Sequence, residues 1–128
     1  MKHLLDVNVL VALAYGAHPG HARAEAWLVA LPASAQLATC SITEIGFVRV
    51  SLQTKLCGSV TEAKSLLAAM LTAGRFTRLV DELGANTLPA YVKTAKETTD
   101  GHLLALAKHA SAKLATFDDG IPGAELIR

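Results

Sequence analysis

The sequence predicts an α/β fold, with a mostly parallel sheet of four to five strands flanked by helices on both faces. Short strand-like runs ("HLLDV", "AQLATC", "KLATF") alternate with longer stretches of helical composition along the 128 residues, the pattern of parallel strands joined by crossover helices. Apolar residues make up 52% of the chain and the mean hydropathy is +0.36, so large helices must cover the sheet or some apolar surface must meet a partner such as a second copy. No period of 20 to 50 residues recurs, which argues against a solenoid. The length suits one domain over residues 1–128.

Strand composition at "HLLDV" gives way to helix over "NVLVALAYGA", which ends near Gly16. A second helix is expected over His21 to Val29, with Ala22, Ala26 and Val29 on one face and Pro32 as the stop. "AQLATC" is the next strand. "SITEIGFVRVSLQ" follows as a helix, because Ile42, Ile45, Val48, Arg49 and Leu52 recur at helical spacing. Ser59 and Glu62 have capping-box spacing ahead of "EAKSLLAAMLTA", closed by Gly74. "RFTRLV" is a third strand. Beyond the turn-rich "DELGANTLP" the pattern predicts a short helix, "AYVKTAKE", and then a separate one capped by Thr99 in "TTDGHLLALAKHA". "KLATF" is the fourth strand and "ELIR" a short fifth.

Composition excludes several classes. With 12 basic and 11 acidic residues the net charge is +1, so any nucleic-acid contact must come from local patches. Cys40 and Cys57 stand in apolar contexts without a CxxC motif or a Cys/His cluster, as expected of buried free thiols in a reducing compartment. Lys2, an apolar run and "ALA" at residues 12–14 imitate a secretion signal, which Asp6 and Asn8 interrupt. No apolar run reaches the ~20 residues of a membrane span. A cytoplasmic protein without a membrane association is expected.

Asp6 is the anomaly. It sits inside "HLLDVNVLVALA", and a carboxylate removed from water needs a partner, a proton or a metal. In open parallel sheets ligands bind beyond the carboxyl ends of the strands, and Asp6 closes the first strand there. Asp118 and Asp119 close "KLATF" at the same edge. Glu44 stands at the start of the helix leaving "AQLATC", and Asp100 is expected in the first turn of the helix that precedes "KLATF". Acids gathered on one rim repel unless a cation sits among them. All-oxygen ligation suits Mg²⁺ or Mn²⁺, which take phosphate oxygens as further ligands and serve phosphodiester hydrolysis.

"LLDVNVLVAL" at Leu4 to Leu13, "ATCSITEIGFVRV" at Ala38 to Val50 and "TTDGHLLALAKHASAKLATFDDG" at Thr98 to Gly120 resemble, in order and spacing, the PIN-domain ribonucleases and in particular the VapC-type toxins of toxin-antitoxin modules. The resemblance covers nearly the whole chain. It implies a PIN-like fold, a catalytic quartet of Asp6, Glu44, Asp100 and Asp118, and Mg²⁺ or Mn²⁺ on Asp6, Asp100 and Asp118 for cleavage of RNA. It also implies a homodimer and a cognate antitoxin protein that enters or blocks the site. "FDDG" offers two acids where the family uses one; Asp118 is favoured for its place after "TF", with Asp119 the alternative. Asn8 and Thr116 are further candidates for holding a ligating carboxylate, Asn8 alternatively as a cap of the first helix. Arg49 is the first choice for an RNA phosphate contact, ahead of Lys55, Lys93 and Lys96.

Each of these residues has a plainer reading. Ser41 and Glu44 have capping-box spacing, Asp100 suits a helix N-terminus, and Asp118 with Asp119 before Gly120 is ordinary turn chemistry. His18 and His21 lack the further ligands of a zinc site and are expected at the surface. His102 and His109 are expected as helix-face residues, and Trp27, Phe47 and Phe76 as core or dimer interface. Two other functions remain open: a catalytically inactive PIN-like module binding RNA or protein, and a haloacid dehalogenase-like phosphatase, which wants an aspartate where Asn8 stands.

Overall fold

The computed structural model describes all 128 residues. Five parallel strands form one sheet in the order β3-β2-β1-β4-β5: β1 (Lys2–Leu5), β2 (Gln36–Thr39), β3 (Phe76–Arg78), β4 (Ala112–Thr116) and β5 (Glu125–Leu126). The helices are α1 (Val7–Ala14), α2 (His21–Ala30), α3 (Ser41–Gln53), α4 (Val60–Ala73) and α5 (Ala95–His109). The chain steps outward from β1 to β3 and then returns to the other side of β1 for β4. The winding therefore reverses between β1 and β4, and a crevice opens at such a point above the strand ends.

Period-two alternation builds the two cores. Leu5, Leu37 and Ala115 face α1, α3 and α4 through Val9, Leu10, Phe47, Ala63 and Leu67. Their neighbours Leu4, Ala38 and Leu114 face α5 through Leu103, Leu104, Leu106 and Ala107. Both faces of the middle strands are thus dry, as a parallel sheet requires. Phe47 is completely buried, and Trp27 and Phe76 pack at the margin of the same core.

Two local expectations need correction, and the inward faces of two helices are a finding of the structure. On α2, Ala22, Ala26 and Val29 are exposed while Ala24 is buried; on α3, Ile45 is 67% exposed, Ile42 and Val48 are partly buried against the cores, and Thr43, Gly46, Phe47 and Ser51 turn fully inward. α1 lies close against α3 at Gly46, where a Cβ would come within 2.6 Å of Val7 Cγ2. The segment 90–110 holds one long helix, not two. Its capping box is Thr94 with Glu97, so Thr99 caps nothing and Asp100 lies in the second turn. Finally, Cys40 is buried but Cys57 only partly, both as free thiols.

Candidate active site at the carboxyl edge of the sheet

Asp6 ends β1 and caps α1. Its Oδ1 accepts from the Val7 amide at 2.8 Å and its backbone continues the β1–β4 ladder through Asp6 N–H to the Ala115 carbonyl at 2.9 Å. The second carboxylate oxygen, Oδ2, accepts from the Thr116 hydroxyl at 2.7 Å. Thr116 is itself buried, and its Oγ1 accepts from the Asp118 amide at 3.0 Å. One threonine at the end of β4 therefore ties Asp6 to the turn that carries Asp118. Asp118 Oδ1 takes the Gly120 amide at 2.8 Å, which closes that turn.

Asp100 joins them from α5. Its pKa is pushed up to about 6, first by desolvation and then by the charges of Asp6 and Asp118. Burial raises Asp6 as well; the Thr116 and Val7 hydrogen bonds oppose the rise, and Asp118 adds to it. Mutual repulsion among Asp6, Asp100 and Asp118 marks one electrostatic unit. Both acids of "FDDG" are exposed and line a neighbouring groove with Arg23 and Phe117, but only Asp118 also faces the pocket that holds Asp100.

The unit fits a hard divalent ion by chemistry. All its donors are oxygen, and its anions gain by neutralisation. No three acidic, histidine or cysteine side chains are drawn into a ready cage.

Glu44 stands apart. The predicted Ser41–Glu44 capping box is absent, since Cys40 is the N-cap and its amide donates to Thr43 Oγ1 at 2.9 Å. Glu44 is thereby released from the helix end. Its Oε2 instead accepts from Thr39 Oγ1 at 2.7 Å and lies 3.6 Å from Arg78 Nε, and Arg78 also donates to Ser41 Oγ at 3.1 Å. Asn8 neither caps α1, which Asp6 does, nor binds a carboxylate; it is exposed. Arg49 is exposed on a groove of about 410 Å³ beside Glu44, with Lys64 and Arg78. Away from the edge, His18 accepts from the Gly20 amide, His21 bonds the Ala12 carbonyl, and His102 pairs with Asp81.

Two residues here were missed by sequence reasoning. Arg78 ends β3 on the same rim, and its position after "RFT" was the available signal. The Tyr91 hydroxyl is buried without a partner in a pocket of about 230 Å³ shared with Asp100 and Asp118. Desolvation, followed by the nearby acids, raises its pKa. Nothing in "AYVKTAKE" announces it.

A family model described as the PIN domain matches residues 3–125. The chain belongs to the PIN-domain family. This PIN protein is 41% identical over 123 residues to the Mycobacterium tuberculosis protein named Ribonuclease VapC38, covering 92% of this chain and 86% of that one. Its fold matches the crystal structure of M. tuberculosis VapC20, titled a Sarcin-Ricin loop cleaving toxin, with a TM-score of 0.70 at 13% identity over 98% of this chain and 99% of that one. It also matches a toxin-antitoxin complex from Klebsiella pneumoniae, with a TM-score of 0.62 at 21% identity over 95% and 94%. PIN membership removes the haloacid dehalogenase alternative, in keeping with an asparagine at position 8 where that family wants an aspartate.

Proposed function

We propose that this PIN-domain protein is a divalent-metal-dependent endoribonuclease and the toxin of a toxin-antitoxin pair. The observation that carries the reading is the Asp6–Thr116–Asp118 linkage at the winding reversal, with Asp100 pushed up to about 6 by desolvation and then by the charges of Asp6 and Asp118. The ribonuclease name of a relative at 41% identity supports the activity, and the named toxin neighbours support the setting.

In this reading Asp6, Asp100 and Asp118 hold Mg²⁺ or Mn²⁺, which when bound supplies charge neutralisation at the phosphate and a more acidic water. Thr116 fixes the rotamer of Asp6, so the ligand oxygen needs little reorganisation. The partly desolvated crevice strengthens every charge interaction within it. Glu44, on the first turn of α3, completes the acidic rim from the β2 side and reaches the reacting phosphate only by leaving Arg78. The Asp118 side chain serves the site and Asp119 does not. The antitoxin is a separate protein that covers the rim, a homodimer is the working assembly, and the cytoplasm, where RNA is abundant, is the place of action. No helix of the chain is long and apolar enough to cross a membrane.

The test is cleavage of total cellular RNA by the purified protein. Fragments are expected with Mn²⁺ or Mg²⁺ and not with EDTA, and Asp6→Asn should abolish them while leaving the circular dichroism spectrum unchanged. Metal-independent cleavage, or an Asp6→Asn variant as active as wild type, removes the mechanism. Absence of cleavage together with metal-independent RNA binding favours the inactive binding module.

A further inference from the structure

Arg23, on α2, lies with its guanidinium 4.1 Å from the centre of the Phe117 ring. Phe117 is the residue between Thr116 and Asp118, so this stack adjoins the acidic crevice. The ring is held from below as well, since Gly20 at the start of α2 lies so close that a Cβ there would meet Phe117 at 3.1 Å. A groove of about 570 Å³ runs past the stack, lined also by Asp118, Asp119 and Arg128.

The guanidinium is positioned but unspent. Neither groove aspartate pairs with it, and Arg23 takes part in no salt bridge of the chain. Arg75 and Arg78 make the guanidinium hydrogen bonds that hold the fold or Glu44; Arg23 makes none of these. An exposed arginine ordinarily forfeits side-chain entropy when it binds. A guanidinium already held over an aromatic ring has lost part of that freedom and keeps its donors for bidentate recognition of an anion. Arg49, which stands exposed with no aromatic support, lacks this preparation.

We propose that Arg23, laid on the Phe117 ring, binds a phosphate of the RNA strand flanking the cleaved position, on the β4–β5 side of the crevice. The strand would leave the acidic unit through the groove that Arg128 also lines. A phosphodiester chain is the fitting anion because the groove is open and continuous with Asp118, and successive phosphates need spaced cations, not one buried pair. This inference rests on the RNA-cleaving reading above.

The test measures binding of a fluorescein-labelled, mixed-sequence, single-stranded oligoribonucleotide in EDTA across a potassium chloride series, alongside cleavage in Mn²⁺. Arg23→Ala should weaken binding by about tenfold and flatten the log–log salt slope by about 0.7. Arg23→Lys should keep most of the slope and recover only part of the affinity. Phe117→Leu should weaken binding with an unchanged slope, because the charge stays but loses its support. A merely structural role for Arg23 would lower the active fraction without moving the slope. Wild-type cleavage with an Arg23→Ala variant of unchanged affinity and slope overturns this inference alone. So does loss of poly-glutamate peptide binding with RNA binding intact, which would assign the shelf to an acidic protein. A wild-type protein that never cleaves yet shows the Arg23-dependent slope breaks the nuclease reading and leaves Arg23 as an RNA contact; one that does not bind RNA at all ends both.

Discussion

Two strand ends on the rim use the same device with opposite results. Thr116, closing β4, donates to Asp6 at 2.7 Å, and Thr39, closing β2, donates to Glu44 at 2.7 Å. On the β4 side the carboxylate so held looks onto Asp118 and Asp100. On the β2 side it looks onto Arg78. The first region stores repulsion, which a cation relieves; the second is already balanced by a protein charge. Under the proposed function, affinity for a divalent ion would therefore concentrate on the β1–β4 side, and Glu44 would be available only by giving up its arginine. A fold that keeps like charges together sacrifices stability for function there.

Breaking the two threonine bonds in parallel tests this contrast most sharply. Thr116→Val should reduce metal-dependent cleavage by about 10- to 100-fold, the usual penalty for removing a group that orients a metal ligand. Thr39→Val should cost under about fivefold, because Arg78 still holds Glu44. Equal losses, measured as kcat/KM on one RNA, would erase the distinction.

The next effect concerns stability. α1, capped by Asp6, and α3, carrying Glu44, meet where Gly46 faces Val7. Gly46→Ala should destabilise the protein by about 1 to 3 kcal/mol in urea unfolding, and Val7→Ala in the same chain should restore much of it. Additive losses from the two changes would show that the close approach is not what links the regions.

Stored repulsion also has a pH signature. The unfolded chain releases the Asp100 proton near 3.8, whereas the folded protein holds it to about 6. Between those values the folded state binds more protons, so this group makes stability fall as pH rises, with the full loss reached above about pH 6. In EDTA, Asp100→Asn should therefore melt a few degrees above wild type at pH 7 and show little advantage at pH 4, and Mg²⁺ should shrink the gap by stabilising wild type. An asparagine variant that melts lower at pH 7 in EDTA contradicts stored repulsion.

Smallest of all should be Arg78→Ala. The pair it breaks is exposed on the arginine side, at 63%, and such pairs contribute about 0 to 1 kcal/mol. Melting should hardly change, and cleavage should change by under about fivefold, upward if the arginine restrains Glu44.

How much of this was legible depends on how local its cause is. Alternating strand and helix segments, Ser59 as a cap and the turn at Asp118 follow from composition over a few residues. So does the oddity of Asp6, since an acid among apolar neighbours shows in the sequence whatever its partner proves to be. The spacing that marks α2 and α3 as helices does not say which of their faces turns inward. Where helices approach as closely as Val7 and Gly46, the residue at the contact must be small, whatever bulk its neighbours on the same face carry. Thr99 has the composition of a cap, but the Thr94–Glu97 box five residues earlier starts the helix first and leaves Thr99 inside it.

By itself the sequence determined the parallel α/β class and the acids that end its strands, because backbone propensity and hydrophobic period act over short spans. The strand order, and with it the winding reversal that seats Asp6 beside Thr116 and Asp118, was decided by tertiary structure. So were the pairing of Glu44 with Arg78 and the stacking of Arg23 on Phe117. These contacts join residues distant in sequence, and whether a charge meets its like or its opposite depends on which strands become neighbours, which no local pattern encodes.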